Sequence, residues 1–142
     1  MDVQVRWVSP KRFDGLSPSG ATLILDAPPE SGGAGAGPSA MEALLMSLAG
    51  CTGSDVVEVL RKMRAPLAAL EIAVTADRAA EHPRVFTRIH VRYMVWGEGL
   101  QREQVERAVS LSVEKYCSVS AMLRKTADLT YEFAVSDQRP RV

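Results

Sequence analysis

The stretch from Met41 to Met63 constrains this chain more than any other part of it. The segment is rich in Ala, Leu, Met and Glu, all strong helix formers, and is bracketed by Pro38 and Pro66. Pro38 suits the edge of a helix start and Ser39 can cap it. Arg61, Lys62 and Arg64 complement the helix dipole before Pro66 ends the run. Gly50 and Gly53 predict a kink or a close backbone contact midway. Leu44, Leu45, Met46, Leu48, Val56, Val57, Val59 and Leu60 occupy nearly every side. A helix that is apolar all round has to be buried all round. The strands of one small domain cannot easily surround it, so a second copy is the economical cover and a homodimer is expected.

Those strands are legible on either side. Val3, Val5 and Trp7 alternate with Gln4 and Arg6, the period of a half-buried strand. Gly15, Pro18 and Gly20 mark a turn, and Thr22 to Asp26 returns as the second arm of a hairpin. The segment Pro28 to Gly37 (PPESGGAGAG) sustains neither helix nor strand and is expected to be a mobile loop. Beyond the long helix, Leu70 to Asp77 and Val85 to Trp96 read as strands joined by a turn at Glu81-His82-Pro83. Gln101 to Tyr116 resumes helical period, with Val105, Ala108, Val109, Ser112 and Tyr116 on one stripe. A short helix over Ser118 to Lys125 and a strand from Leu129 to Val135 follow. Neighbouring strands with helices between them make the class α+β with a largely antiparallel sheet. A single domain is expected over 1–142, divided into a hairpin (1–27), a Gly/Pro-rich loop (28–37) and a helix–sheet body (38–142).

Seventeen basic side chains balance seventeen acidic ones. A neutral chain without basic runs is a poor wrapper of nucleic acid, so no nucleic-acid partner is expected. No run reaches the roughly 18 apolar residues of a membrane span, and the first residues lack a secretion signal. The expected compartment is the cytoplasm, away from membranes. Two cysteines and two histidines exclude zinc fingers, Fe–S clusters and disulfide scaffolds. The cysteines are either ordinary buried residues or a redox pair in which one thiolate is oxidised to a sulfenic acid and the other condenses with it. Cys117 at a helix N-terminus would have its thiolate favoured. His82 reads as a turn residue. His90, between Arg88 and Arg92, forms a basic stripe that is either solvated or an anion site. A zinc site from the cysteines and histidines has no recognised ligand spacing, and no metal is expected.

Two blocks are more specific. Gly37-Pro38-Ser39-Ala40-Met41-Glu42-Ala43-Leu44-Leu45-Met46, continued by Ala49-Gly50-Cys51-Thr52-Gly53-Ser54-Asp55-Val56-Val57, resembles the central helix of the OsmC/Ohr family. Glu114-Lys115-Tyr116-Cys117-Ser118-Val119-Ser120-Ala121-Met122-Leu123 resembles that family's second-cysteine block, and both blocks look most like its YhfA-like branch. The resemblance implies an OsmC-like fold built as an intertwined homodimer with active sites at the subunit interface. It also implies thiol-dependent reduction of organic hydroperoxides, a stress-defence role. Cys51 would match the peroxidatic residue and Cys117 the resolving one. The reductant would be a small dithiol or a lipoylated protein, with no bound cofactor.

The chain departs from the pattern in two places. Hydroperoxide reductases take an Arg from the loop between the first strands and a Glu directly after the proline that opens the helix. Here Arg12 (or Lys11) lies in the comparable loop as candidate thiolate stabiliser. Ser39 follows Pro38, leaving Glu42 as the nearest acid and candidate orienting group. Nine steps at about 100° put Glu42 and Cys51 on opposite sides of a straight helix. Asp55, four residues after Cys51, shares its face and would raise a thiol pKa unless a cation neutralised it. Tyr116, Leu48 and Met122 are expected around an apolar peroxide pocket. The rival expectation is a non-catalytic dimer that binds a small apolar or acidic ligand at its interface, with the cysteines as lining.

Overall fold

Short strands with little side-chain cover form the first part of the molecule. The computed structural model describes residues 1–139, and residues 140–142 of the expected body lie outside them. Two compact units emerge, Met1–Met46 and Ser47–Val142. In the first, β1 (Gln4–Trp7), β2 (Phe13–Leu16) and β3 (Thr22–Leu25) form an antiparallel sheet in that order. The expected two-arm hairpin is therefore corrected to three strands. A tight turn, with Val8 N–H on the Arg12 carbonyl at 2.9 Å, inserts β2 where Gly15 had suggested a turn. Asp14 and Gly15 have poor strand propensity, which hid this strand. Pro18 and Gly20 do mark the β2–β3 turn, where the Ser17 N–H meets the Ala21 carbonyl at 2.9 Å.

The Gly/Pro-rich loop, expected to sustain neither helix nor strand, contains a 3-10 turn at Pro29–Ser31 and is tied by hydrogen bonds. Asp26, 3% exposed, is the reason. Its carboxylate accepts the N–H groups of Ala27 at 2.8 Å and of Ala34 and Ala36 at 3.1 Å. These bonds, with that of Ala36 foremost, hold the carboxyl below its ordinary range against the opposing effect of burial. Gly33 passes so close to Ala27 that a Cβ would sit 1.9 Å from its carbonyl oxygen, so only glycine fits.

The long helix, α1 (Ala40–Lys62), runs unbroken through both glycines. Its buried residues are Leu48, Thr52, Gly53, Val56 and Leu60, one stripe at helical spacing. A Cβ at Gly53 would lie 2.9 Å from Ile72 Cδ1, which is the close contact its glycine serves. Leu44, Met46 and Val57 remain exposed among the described residues. By length and mean hydropathy (1.4 over its most apolar window) α1 does reach the measure of a membrane span, contrary to expectation. Its buried stripe is equally that of a core helix.

In the second unit, β4 (Ala69–Arg78), β5 (Phe86–Trp96) and β6 (Asp128–Ser136) form a sheet in that order. β4 and β5 pair antiparallel, whereas β5 and β6 pair parallel, making the sheet mixed. A parallel pair needs a long crossover, and α2 (Arg102–Leu111), a π-helical turn (Ser112–Tyr116) and α3 (Ser118–Leu123) provide it. Ile89, Val91, Tyr93 and Val95 of β5 are buried, as are Val105, Ala108 and Val109 of α2. On β5 the basic stripe is neutralised: Arg88 pairs with Asp77 at 2.6 Å and Arg92 with Glu132 at 3.3 Å. His90 Nδ1 meets Thr130 Oγ1 at 2.9 Å. These partners leave no free cationic face for an anion there.

Candidate functional site

The expected helix from Gln101 to Tyr116 breaks at Leu111, and the break makes the site. Across Ser112–Tyr116 the backbone takes a π turn, closed by Cys117 N–H on the Ser112 carbonyl at 2.8 Å. A π turn holds an extra residue, so the stripe predicted from a 3.6-residue period slips out of phase. Ser112 is fully buried, Tyr116 is 50% exposed and Cys117 is 3% exposed. Cys117 itself is extended and caps α3, its sulfur accepting the Ser120 N–H at 3.4 Å.

Cys51 and Asp55 reach the same place from α1, one turn apart. Both sulfurs and a carboxylate oxygen of Asp55 lie within 4.8 Å of one another. The cysteines are free thiols, Cys51 half-buried and Cys117 buried. Burial pushes the Cys117 thiol up from its ordinary value, and the neighbouring Cys51 thiol adds to the rise. The Ser120 hydroxyl and N–H work the other way. Neither histidine belongs to the cluster.

A chain of hydroxyls backs the cluster. Ser112 Oγ donates to Asp55 Oδ2 at 2.9 Å, Thr52 Oγ1 lies 2.8 Å from Ser112 Oγ, and Tyr93 Oη lies 2.7 Å from Thr52 Oγ1. Each hydroxyl has one proton. With Ser112 giving its own to Asp55, Thr52 donates to Ser112 and Tyr93 to Thr52, so every donor points toward the carboxylate. Burial pushes Tyr93 up to about 12, which keeps its proton in place. Ser112, Thr52 and Tyr93 were missed as site residues. The available signal was a hydroxyl on an otherwise apolar stripe, which a buried helix accepts only where it is hydrogen-bonded.

Two other expected site residues are engaged in networks of their own. Arg12 grips Asp14 in a two-pronged pair at 2.7 and 2.9 Å. Glu42 closes a reciprocal cap, its carboxylate 2.7 Å from both Ser39 N and Ser39 Oγ while its own N–H faces Ser39 Oγ at 3.3 Å. Leu48, expected near a peroxide pocket, is fully buried inside the chain, which corrects that expectation; Met122 is 62% exposed. Tyr116 does border a cavity of about 930 Å³, together with Asp55, Val59, Met63, Arg107 and Leu111. Its lining mixes these apolar side chains with the charged Glu58, Lys62 and Glu103, and its volume suits a small organic molecule.

The family described as OsmC-like protein matches residues 32–132. Protein YhfA of Escherichia coli is 40% identical over 136 residues, spanning 95% of this chain and 98% of that one. A solved structure of a hypothetical protein from Aquifex aeolicus is 28% identical, with a TM-score of 0.80 over 96% of this chain and 97% of its own. The organic hydroperoxide resistance protein OsmC from Legionella pneumophila shares the fold at 19% identity, TM-score 0.69, over 94% of this chain and 96% of its own.

Proposed function

The chain belongs to the OsmC-like protein family, and from that premise we propose that it is a thiol-dependent peroxidase for organic hydroperoxides. The single observation that carries the reading is the meeting of the Cys51 and Cys117 sulfurs in one cluster. A neighbour of this fold bears the name organic hydroperoxide resistance protein, which agrees in kind.

In this reading the Cys51 thiolate attacks one oxygen of the peroxide. The O–O bond breaks, the alkoxide leaves and takes a proton to become the alcohol, and Cys51 is oxidised to a sulfenic acid. Cys117 then attacks that sulfur, the S–S bond forms, and the hydroxyl departs as water with the Cys117 proton. A dithiol, free or on a lipoylated protein, reduces the disulfide by two exchange steps and is itself oxidised to its disulfide. Half-buried Cys51 is the better placed attacking group, and the raised pKa of Cys117 suits a thiol that stays protonated until needed. Arg12 is the candidate cation for the thiolate. Glu42, engaged in capping α1, is the candidate orienting group only once released from Ser39. Val59, Met63, Leu111 and Tyr116, in the cavity that Asp55 borders, support a preference for bulky alkyl peroxides over hydrogen peroxide.

The reading includes a cytoplasmic homodimer. Supporting it, Val5, Trp7, Phe13 and Leu23 stand exposed on the paired strands of the first sheet and Met46 on α1, a clustering of exposed apolar side chains that marks interaction surfaces.

A second reading has one specific observation in its favour. Asp55 sets a carboxylate beside the thiols, and among the described residues its partner is the Ser112 hydroxyl, with no cation paired to it. A negative neighbour disfavours a thiolate, and a non-catalytic dimer that binds a small apolar or acidic ligand would tolerate it. Consumption of cumene hydroperoxide with dihydrolipoamide separates the two. The peroxidase reading expects turnover that Cys51→Ser abolishes, whereas turnover no higher than that of the variant leaves only binding.

A further inference from the structure

We propose that Cys51, Asp55 and Cys117 form a binding site for a thiophilic divalent cation, zinc being the best fit. The proposal stands on geometry and donor chemistry, independently of peroxide reduction.

The spacing is that of ligands. Two come from one rigid helix at i and i+4, the separation by which helices hold metals elsewhere. The third comes from Cys117, the extended residue that follows the π turn. Tetrahedral zinc with sulfur ligands at about 2.3 Å and oxygen at about 2.1 Å sets ligand atoms roughly 3.5–3.8 Å apart. The three atoms here already lie within 4.8 Å of one another, so side-chain rotation closes the gap without moving the backbone.

The surroundings match what such ligands require. Ser112 Oγ holds Asp55 Oδ2 at 2.9 Å, an outer-shell bond of the kind that orients a ligating carboxylate. Thr52 and Tyr93 in turn hold Ser112. The Ser120 N–H donates to the Cys117 sulfur at 3.4 Å. Asp55 also borders the 930 Å³ cavity, giving an ion a path from solvent. Two sulfurs and one carboxylate disfavour magnesium and calcium, which take oxygen, and favour zinc, cadmium or cobalt(II). Three protein ligands leave a fourth position for water. Because a disulfide cannot supply two thiolates, only the reduced protein binds the ion.

Cobalt(II) titration of the full-length reduced protein is the test. The expected result is one ion per chain, a near-ultraviolet sulfur-to-cobalt charge-transfer band, and displacement by zinc but not by magnesium. Cys117→Ser and Cys51→Ser should each weaken or remove the band. Asp55→Asn, which keeps both thiols, should lower affinity by about tenfold or more, and Ser112→Ala by about 10- to 100-fold. His82→Ala and His90→Ala should leave binding unchanged. Circular dichroism confirms that each variant is folded, and among the folded ones Asp55→Asn alone decides the third ligand. No charge-transfer band, a band that survives both cysteine variants, or an unchanged affinity in Asp55→Asn overturns the proposal. Peroxide turnover measured in excess chelator tests the peroxidase reading separately, so failure of one is distinguishable from failure of the other.

Discussion

Among the described residues between Ser47 and Arg139, buried apolar side chains line α1, β5 and α2; between Met1 and Met46 the one buried residue is Asp26. The second unit is built around apolar burial. The first is built around backbone pairing and a carboxylate that gathers three loop N–H groups, while its Trp7, Phe13 and Leu23 face outward. A sheet whose apolar side chains lack cover within its own unit is an element made for company. The difference therefore divides the molecule: the unit with the apolar core carries the two sulfurs, and the unit without one leaves its apolar side chains exposed.

The contrast breaks most readily at the core. Leu60→Ala, at a fully buried position, should lower unfolding free energy by about 2–5 kcal/mol in urea titration. A loss below about 1 kcal/mol would mean that the second unit is not held by this stripe. Next in size is Ser112→Ala, which strands Thr52 and Asp55 in part-buried surroundings. It should cost about 1–3 kcal/mol, and Ser112→Thr, which keeps the hydroxyl, should recover part of that in the same titration.

In the first unit the largest effect is one of pH. The Asp26 carboxyl ordinarily titrates at 3.8 and is lowered when folded, chiefly by the Ala36 N–H. Its contribution is complete above that ordinary value and drains away as pH falls through the lower folded value. Protection factors at Ala34 and Ala36, taken against the intrinsic exchange rate at each pH, should fall in acid below that range, and in Asp26→Asn they should be low already at neutral pH. Protection that persists in the variant would show that the loop holds its path without the carboxylate. The smallest effect on stability belongs to Leu23→Ala, 49% exposed. It should change dilute-solution stability by about 0.5 kcal/mol or less while weakening self-association in sedimentation. An unchanged association would remove this face from the contact.

Much of this was legible. Uniform periods, over Met41 to Met63 and over Val85 to Trp96, gave α1 and β5 nearly to the residue, because long regular segments repeat their signal many times. β2 was hidden because four residues containing Asp and Gly show no alternation. The π turn was hidden because nothing in Ser112 to Tyr116 distinguishes it from the helix before it; with the turn, Ser112 and Cys117 are buried and Tyr116 is exposed. The cysteines could be picked out as reagents from their neighbours in sequence, but their meeting could not, since 66 positions separate them and only the fold closes that loop. Asp55 was visible as a problem. Its answer, a hydroxyl chain from Tyr93 through Thr52 and Ser112, crosses three elements and has no local signature.

The pairing of the two sulfurs is tested most directly by intact-mass and peptide mass spectrometry of the reduced protein after one equivalent of cumene hydroperoxide. The account predicts a Cys51–Cys117 disulfide, with the loss of two hydrogens per chain, and in Cys117→Ser a sulfenic acid trapped at Cys51. Unreacted thiols in the wild-type protein, or oxidation at Cys51 that never joins Cys117, would contradict it.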